Sequence, residues 1–240
     1  MKKLTIFKNE DILNNVLKTT TEVYRLYDPG WYLYRLVFNY IGNKFSHDFI
    51  ELVYVTLSAW NMNSRGAKLS DFEIFENCLL DNENIKLLDS LKGKTNLIIN
   101  EDIINTLKKL FYKLTLVDND KPPLVTFSKA MHFFFPELVV PIDRKYSCNY
   151  FYNSITISKN IDDQWEMFIE IQKEFYDFIK NNNNMLIKYL DNRWNLCTTK
   201  IMDNMIIGYT KLVETLTKKV QENKATKDEE NMLLKLLSHK

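Results

Sequence analysis

The sequence predicts an all-α fold: a single multi-helix globular domain with a C-terminal helical hairpin. Three observations predict it. Only five glycines and five prolines occur in 240 residues, too few for many short strands joined by tight turns. Apolar residues recur at helical spacing through most of the longer segments. Apolar residues make up 45% of the chain and charged residues 26%, an ordinary globular balance, and the chain is long enough to bury a sizeable core.

The elements follow in chain order. In 46–61, Phe49, Leu52, Val53, Thr56, Leu57 and Trp60 recur at helical spacing and the opposite face is also largely apolar, so this reads as a buried helix. Ser70, with Glu73 three residues on, makes a capping-box pattern for the next helix. Asn100 caps a third, with acids in its first turn and a stripe of Ile103, Ile104, Leu107, Leu110, Phe111 and Leu114. Residues 162–181 form an amphipathic helix with Trp165, Phe168, Ile169, Phe175 and Ile179 inside. The four asparagines 181–184 end it, because their side chains compete for backbone hydrogen bonds. A further helix spans about 199–222. The break at 223–226 and a Thr226/Glu229 capping box start a last one. Residues 1–210 are therefore the helical domain, and 211–240 a hairpin appended to it. The alternation Ser-Ile-Thr-Ile-Ser at 154–158 is the one strand candidate.

The stretch LVTFSKAMHFFFPELVVPIDRKY, residues 124–146, is the least ordinary. It sets Lys129 among aromatic and apolar residues. Thr126 reads as an N-cap and Pro136 as the stop, giving a helix over about 127–135. Lys129, His132 and Phe133 share a face of it. An extended return, stiffened by Pro141, leads to Asp143, which caps the next helix. Lys129 lies roughly 9 Å back along its helix from Phe135. Seven extended residues reach up to ~25 Å, so the return can bring Asp143 level with Lys129. An amine and a carboxylate meeting in a dry hollow supply a nucleophile and a charge-stabilising, proton-relaying partner.

Those residues carry a resemblance. SKAMHFFFPELVVPID, residues 128–143, resembles the Lys…(Val/Ile)-x-Val-Asp signature of the helix-hairpin-helix DNA glycosylases. The resemblance implies a DNA base-excision glycosylase/lyase, or a DNA-binding relative that has lost the chemistry. By it, Lys129 is the Schiff-base lysine and Asp143 the essential acid. The glycine-rich turn with which that family grips phosphate has no counterpart, since 116–129 contains no glycine.

Ligand contacts are assigned to Asn63 and Arg65, in the polar turn after Trp60, to His132 beside Lys129, and to Arg144 and Lys145 as phosphate partners. Trp31, Tyr32 and Tyr34 are candidates for base stacking. Such a site calls for a positive rim. The alternative function is a non-enzymatic helical module that binds a protein partner through the C-terminal helices, with an apolar patch near 205–237. A net charge of +1 gives no strongly basic block for nucleic acid.

The three cysteines (Cys78, Cys148, Cys197) form no CxxC, and the histidines His47, His132 and His239 form no ligand pattern, so neither a metal nor a cofactor is expected. Free thiols suit a cytoplasmic location. The apolar stretch at the N-terminus stops at Phe7, too short for a signal sequence. No run approaches the ~18 apolar residues of a membrane span, so no membrane partner is expected. P-loop, GxGxxG, HExxH and GxSxG motifs are all absent.

Overall fold

The apolar stripes of the sequence become helices in a computed structural model that describes residues 1–24, 28–63, 67–118 and 123–238. Eleven α-helices lie among the described residues: α1 (Glu10–Val23), α2 (Pro29–Phe38), α3 (His47–Ala59), α4 (Phe72–Leu80), α5 (Asn82–Ser90), α6 (Glu101–Lys113), α7 (Leu124–Phe134), α8 (Asn149–Tyr152), α9 (Ile161–Leu186), α10 (Thr198–Gln221) and α11 (Lys227–Ser238). Among the same residues there is no strand, and the only β-type contact is an isolated antiparallel bridge between Leu69 and Val117. No described helix is long and apolar enough to cross a membrane.

Side-chain caps fix many of the starts. Asn9 accepts from the amides of Asp11 and Ile12, Asp28 from Trp31, Ser46 from Phe49, and Asn100 from Ile103. Each satisfies backbone donors that a helix start leaves open. At the far end Thr226 and Glu229 form the reciprocal box the sequence suggests, at 2.9 and 3.3 Å.

Four expectations are corrected. Ser70 does not cap α4. Its hydroxyl donates to the Thr115 carbonyl at 2.8 Å, tying the start of α4 to the end of α6 instead. Helix α7 begins at Leu124, earlier than the Thr126 cap implies. Pro123 needs no N–H partner at that end, and Gln164 of α9 accepts the Leu124 amide at 3.4 Å. Thr126 is buried within the helix. Residues 154–158 carry no strand, because five alternating residues have nothing to pair with and Ile155 faces solvent. The asparagine run kinks α9 rather than ending it. Asn182 leaves helical geometry at φ −132° and ψ 18°, while the Asn181 and Asn182 amides bond back to the Asp177 and Phe178 carbonyls.

One continuous core runs from Leu4 and Phe7 through Phe49, Phe111, Phe127 and Phe168 to Leu216 and Leu236. Helix α1 lies along α10. Their backbones meet at Gly208, where a methyl group would fall on the Val16 carbonyl and the Thr20 hydroxyl. The α10–α11 hairpin shares this core through Leu216, Leu233 and Leu236, and Tyr209 donates to the Leu236 carbonyl at 2.9 Å. Between positions 205 and 237, Leu234 is the large apolar side chain most open to solvent among the described residues.

Candidate functional site

Every residue of α7 is buried, Lys129 included. A lysine on a surface helix would extend its ammonium to water. Here the helix has no wet face, so the ammonium needs a partner inside. The return segment supplies one, and its own backbone is held by side chains rather than by a sheet. One backbone bond joins them, from the Asn96 main-chain N–H to the Glu137 carbonyl at 2.8 Å. His132 Nδ1 donates to the Val139 carbonyl at 2.8 Å. Gln172 brackets Val140, accepting its N–H at 3.1 Å and donating to its carbonyl at 2.6 Å. Ser128 accepts the Ile142 N–H at 3.0 Å. Lys44 closes the end of α7 by donating to the Phe133 and Phe134 carbonyls at 3.0 and 2.9 Å, and burial pushes its pKa down to about 8.

The segment therefore delivers Asp143 to a fixed place. Asp143 Oδ2 accepts from Lys129 Nζ at 3.0 Å, Oδ1 accepts from the Lys145 amide at 2.9 Å, and the Asp143 amide donates to Ser147 Oγ at 3.2 Å. The carboxylate is at once a helix cap and the counter-ion of a buried amine.

The pair opens into a hollow of about 230 Å³. A second ion pair lines it, from α10: Lys200 Nζ donates to Asp203 Oδ2 at 2.5 Å, both residues buried. Burial pulls the Lys200 pKa down, but the Asp203 carboxylate and the Tyr24 hydroxyl outweigh it, so the ammonium is held charged well above the usual range. Burial also pushes Tyr24 up to about 12. The wall is aromatic, with Tyr24, Trp31, Trp60 and Tyr146 on it. The Trp60 ring lies 5.5 Å from Lys129 Nζ and 5.6 Å from Lys200 Nζ, cation–π distances that help offset desolvation of both amines. Behind it Tyr34 stacks on Trp60 at 5.7 Å and on His132 at 5.7 Å.

The candidate residues separate clearly. Lys129 and Asp143 are brought together, and Trp31 joins them on the wall. His132 does not line the hollow. It is 0% exposed, with Nε2 2.9 Å from the Tyr34 hydroxyl and Nδ1 on Val139, and burial holds its pKa down at about 3. It braces the return segment as a neutral ring. Asn63 points away, its amide 2.9 Å from Ser58 Oγ, and its neighbour Asn61 lines the hollow instead. Arg144 and Lys145 lie on a separate exposed depression with Glu214. Tyr34 is core and Tyr32 is solvent-facing. Arg65 lies outside the described residues. Among the described residues the charged lining is Lys129 and Lys200 against Asp28, Asp143 and Asp203.

Sequence reasoning missed Lys200 and Asp203. Their signal was a lysine and an aspartate at i and i+3 within TKIMDNMI, where Ile201, Met202, Met205 and Ile206 leave no polar face. A larger hollow, about 710 Å³, sits by Lys2, Tyr150 and Tyr209. There Lys2 Nζ donates to the Tyr209 hydroxyl at 2.7 Å. Among the described residues no cluster of His, Cys, Asp and Glu could hold a metal.

Fold and site define an all-α protein built around a buried, twofold amine–carboxylate hollow. Comparison with protein-family models, curated proteins and solved structures finds no match to this chain.

Proposed function

We propose that the protein is a DNA base-excision glycosylase/lyase-like protein that acts through Lys129 and Asp143. The observation that carries this reading is the 3.0 Å Lys129–Asp143 contact inside an aromatic-walled hollow. A buried ion pair contributes little to stability compared with apolar packing, and this one opens into a hollow where a ligand can reach it. The charged ammonium is not a nucleophile. Passing one proton to Asp143 frees the Nζ lone pair. That lone pair attacks C1′ of a deoxyribose, and the base departs with the glycosidic bonding electrons and the proton that Asp143 took up. The C1′–O4′ bond then opens, its electrons staying on O4′, which takes the proton released by the new amine and leaves a protonated C1′ Schiff base. On an abasic sugar the same amine condenses with the C1′ aldehyde and releases water. The aromatic wall suits an unpaired base, since stacking contributes ~1–3 kcal/mol per base.

Borohydride reduces a Schiff base to a stable amine, so trapping on abasic-site DNA tests the chemistry. The wild type is expected to form a covalent adduct that Lys129→Ala loses, with the helical circular dichroism of both unchanged. Absence of an adduct in the wild type removes the lyase. Fluorescence anisotropy then reports whether a binding-only relative remains, through preference for abasic over intact duplex.

A further inference from the structure

The hollow holds hydrogen-bonding capacity that the protein does not spend. An ammonium has three N–H donors. Lys129, 7% exposed, makes one hydrogen bond among the described residues, to Asp143. Lys200, 3% exposed, makes two, to Asp203 and, at 3.4 Å, to the Tyr24 hydroxyl. Three N–H donors on two nearly enclosed side chains are thus left over. Asp203 accepts from Lys200 through Oδ2, and its Oδ1 carries no hydrogen bond among the described residues. These groups line the hollow, so the surplus describes a ligand: rich in acceptor oxygen, with one N–H beside it.

The charge of the lining narrows the class. Among the described residues two ammoniums face three carboxylates, and a dianionic phosphate would meet net repulsion from these five groups. A neutral planar ring would not. The volume points the same way, since about 230 Å³ is below the ~300–1,000 Å³ typical of pockets for larger ligands. It suits one heteroaromatic ring system lying on the Trp31–Trp60 wall.

We propose that the hollow recognises the lactam edge of an oxo-substituted nucleobase, with Lys200 and Asp203 as its specificity-determining pair. The ring oxo group has two lone pairs and accepts from Lys200 and Lys129 together. The adjacent ring N–H donates to Asp203 Oδ1. An adenine-type edge reverses this order. Its ring nitrogen has a single lone pair, so one more ammonium N–H stays unpaired than with the lactam, the kind of mismatch that polar sites reject strongly. The inference rests on the preceding reading that the ligand is a nucleobase, but it requires no covalent step.

Calorimetric titration of the full chain with free hypoxanthine and free adenine tests it. The two differ in the order of donor and acceptor on one edge. Hypoxanthine is expected to bind at least tenfold more tightly. Lys200→Met alone strands the Asp203 carboxylate, so the informative variant is Lys200→Met/Asp203→Leu, which replaces the pair by apolar groups of similar size and keeps the helix packed. In that variant the preference should disappear while circular dichroism is retained. Equal binding of the two bases, binding of neither, or a preference that survives the double substitution overturns the proposal. Hypoxanthine binding without a borohydride adduct would keep this pocket and remove the lyase. An adduct without base preference would do the reverse.

Discussion

Lys129 and Asp143 are 14 residues apart in the chain and 3.0 Å apart in space, each more than nine-tenths buried. Breaking a buried pair by removing one partner costs about 3–5 kcal/mol. Lys129→Met is expected to lose that much. Asp143→Asn keeps an oxygen for the Lys145 amide but strands the ammonium, so it should also be costly. The double variant Lys129→Met/Asp143→Asn removes both charges and should recover more than half of either loss. Urea melts of the four proteins give the coupling. A value under ~0.5 kcal/mol would mean that the two groups do not act as a pair.

His132 predicts a pH dependence. Its folded pKa lies at about 3 against an ordinary 6.5, because burial disfavours the imidazolium. The unfolded chain therefore takes up the proton first as pH falls. The stabilisation is complete above the unfolded value and is lost progressively from about 6.5 downwards towards 3. One such group contributes a slope of up to ~1.4 kcal/mol per pH unit in that window. His132→Gln should flatten this limb of the stability curve relative to the wild type. His47 acts with the opposite sign. Its hydrogen bond to Glu76 raises its pKa, so its contribution is present below the unfolded value and fades as pH rises through the folded one. Melts of His47→Ala across the same range should shift the curve the other way.

Gly208 carries the α1–α10 contact. A Cβ there meets the backbone of Val16, which cannot rotate away as a side-chain tip would. Overpacking in cores costs typically ~1–3 kcal/mol. Gly208→Ala is expected to fall in or above that range even though alanine favours helix by ~1 kcal/mol. A thermal melt showing Gly208→Ala as stable as the wild type would mean that the two helices can separate freely.

What the sequence made legible divides along physical lines. Helices were readable where one face is apolar, as in α6, with Ile103, Leu107, Leu110 and Phe111 inside and an Asn100 cap in place. The Lys129–Asp143 meeting was readable as reach, because two prolines and a helix rise bound the geometry. Ser70 failed as a cap because its hydroxyl had a second acceptor, the Thr115 carbonyl, which no local pattern reveals. His132 shares a helix with Lys129, yet Tyr34 and Val139 enclose it. Lys200 and Asp203 were not legible because burial of a charged i, i+3 pair depends on what surrounds α10, here Tyr24, Tyr34 and Trp60. Of the residues expected to form a positive rim, Arg144 and Lys145 lie on a separate depression with Glu214, and Arg65 lies outside the described residues.

The brace on the return segment gives a last prediction. Gln172 is fully buried on α9 and spends both ends of its amide on Val140, three residues before Asp143. Leucine fills much of the same space but can neither accept nor donate. Gln172→Leu therefore leaves the Val140 N–H and carbonyl unpaired in the core, at roughly 1–3 kcal/mol for each group. The segment should respond before the helices do, because Ser128 and His132 still hold its neighbours. Hydrogen exchange at the Val140 amide is expected to accelerate by at least tenfold, equivalent to ~1.4 kcal/mol of local opening. Adduct formation on abasic DNA should fall with it, although Gln172 does not line the hollow, because Asp143 would no longer be held at 3.0 Å from the amine. Unchanged Val140 exchange in a folded Gln172→Leu protein would show that the loop is held in place by its prolines and apolar packing alone.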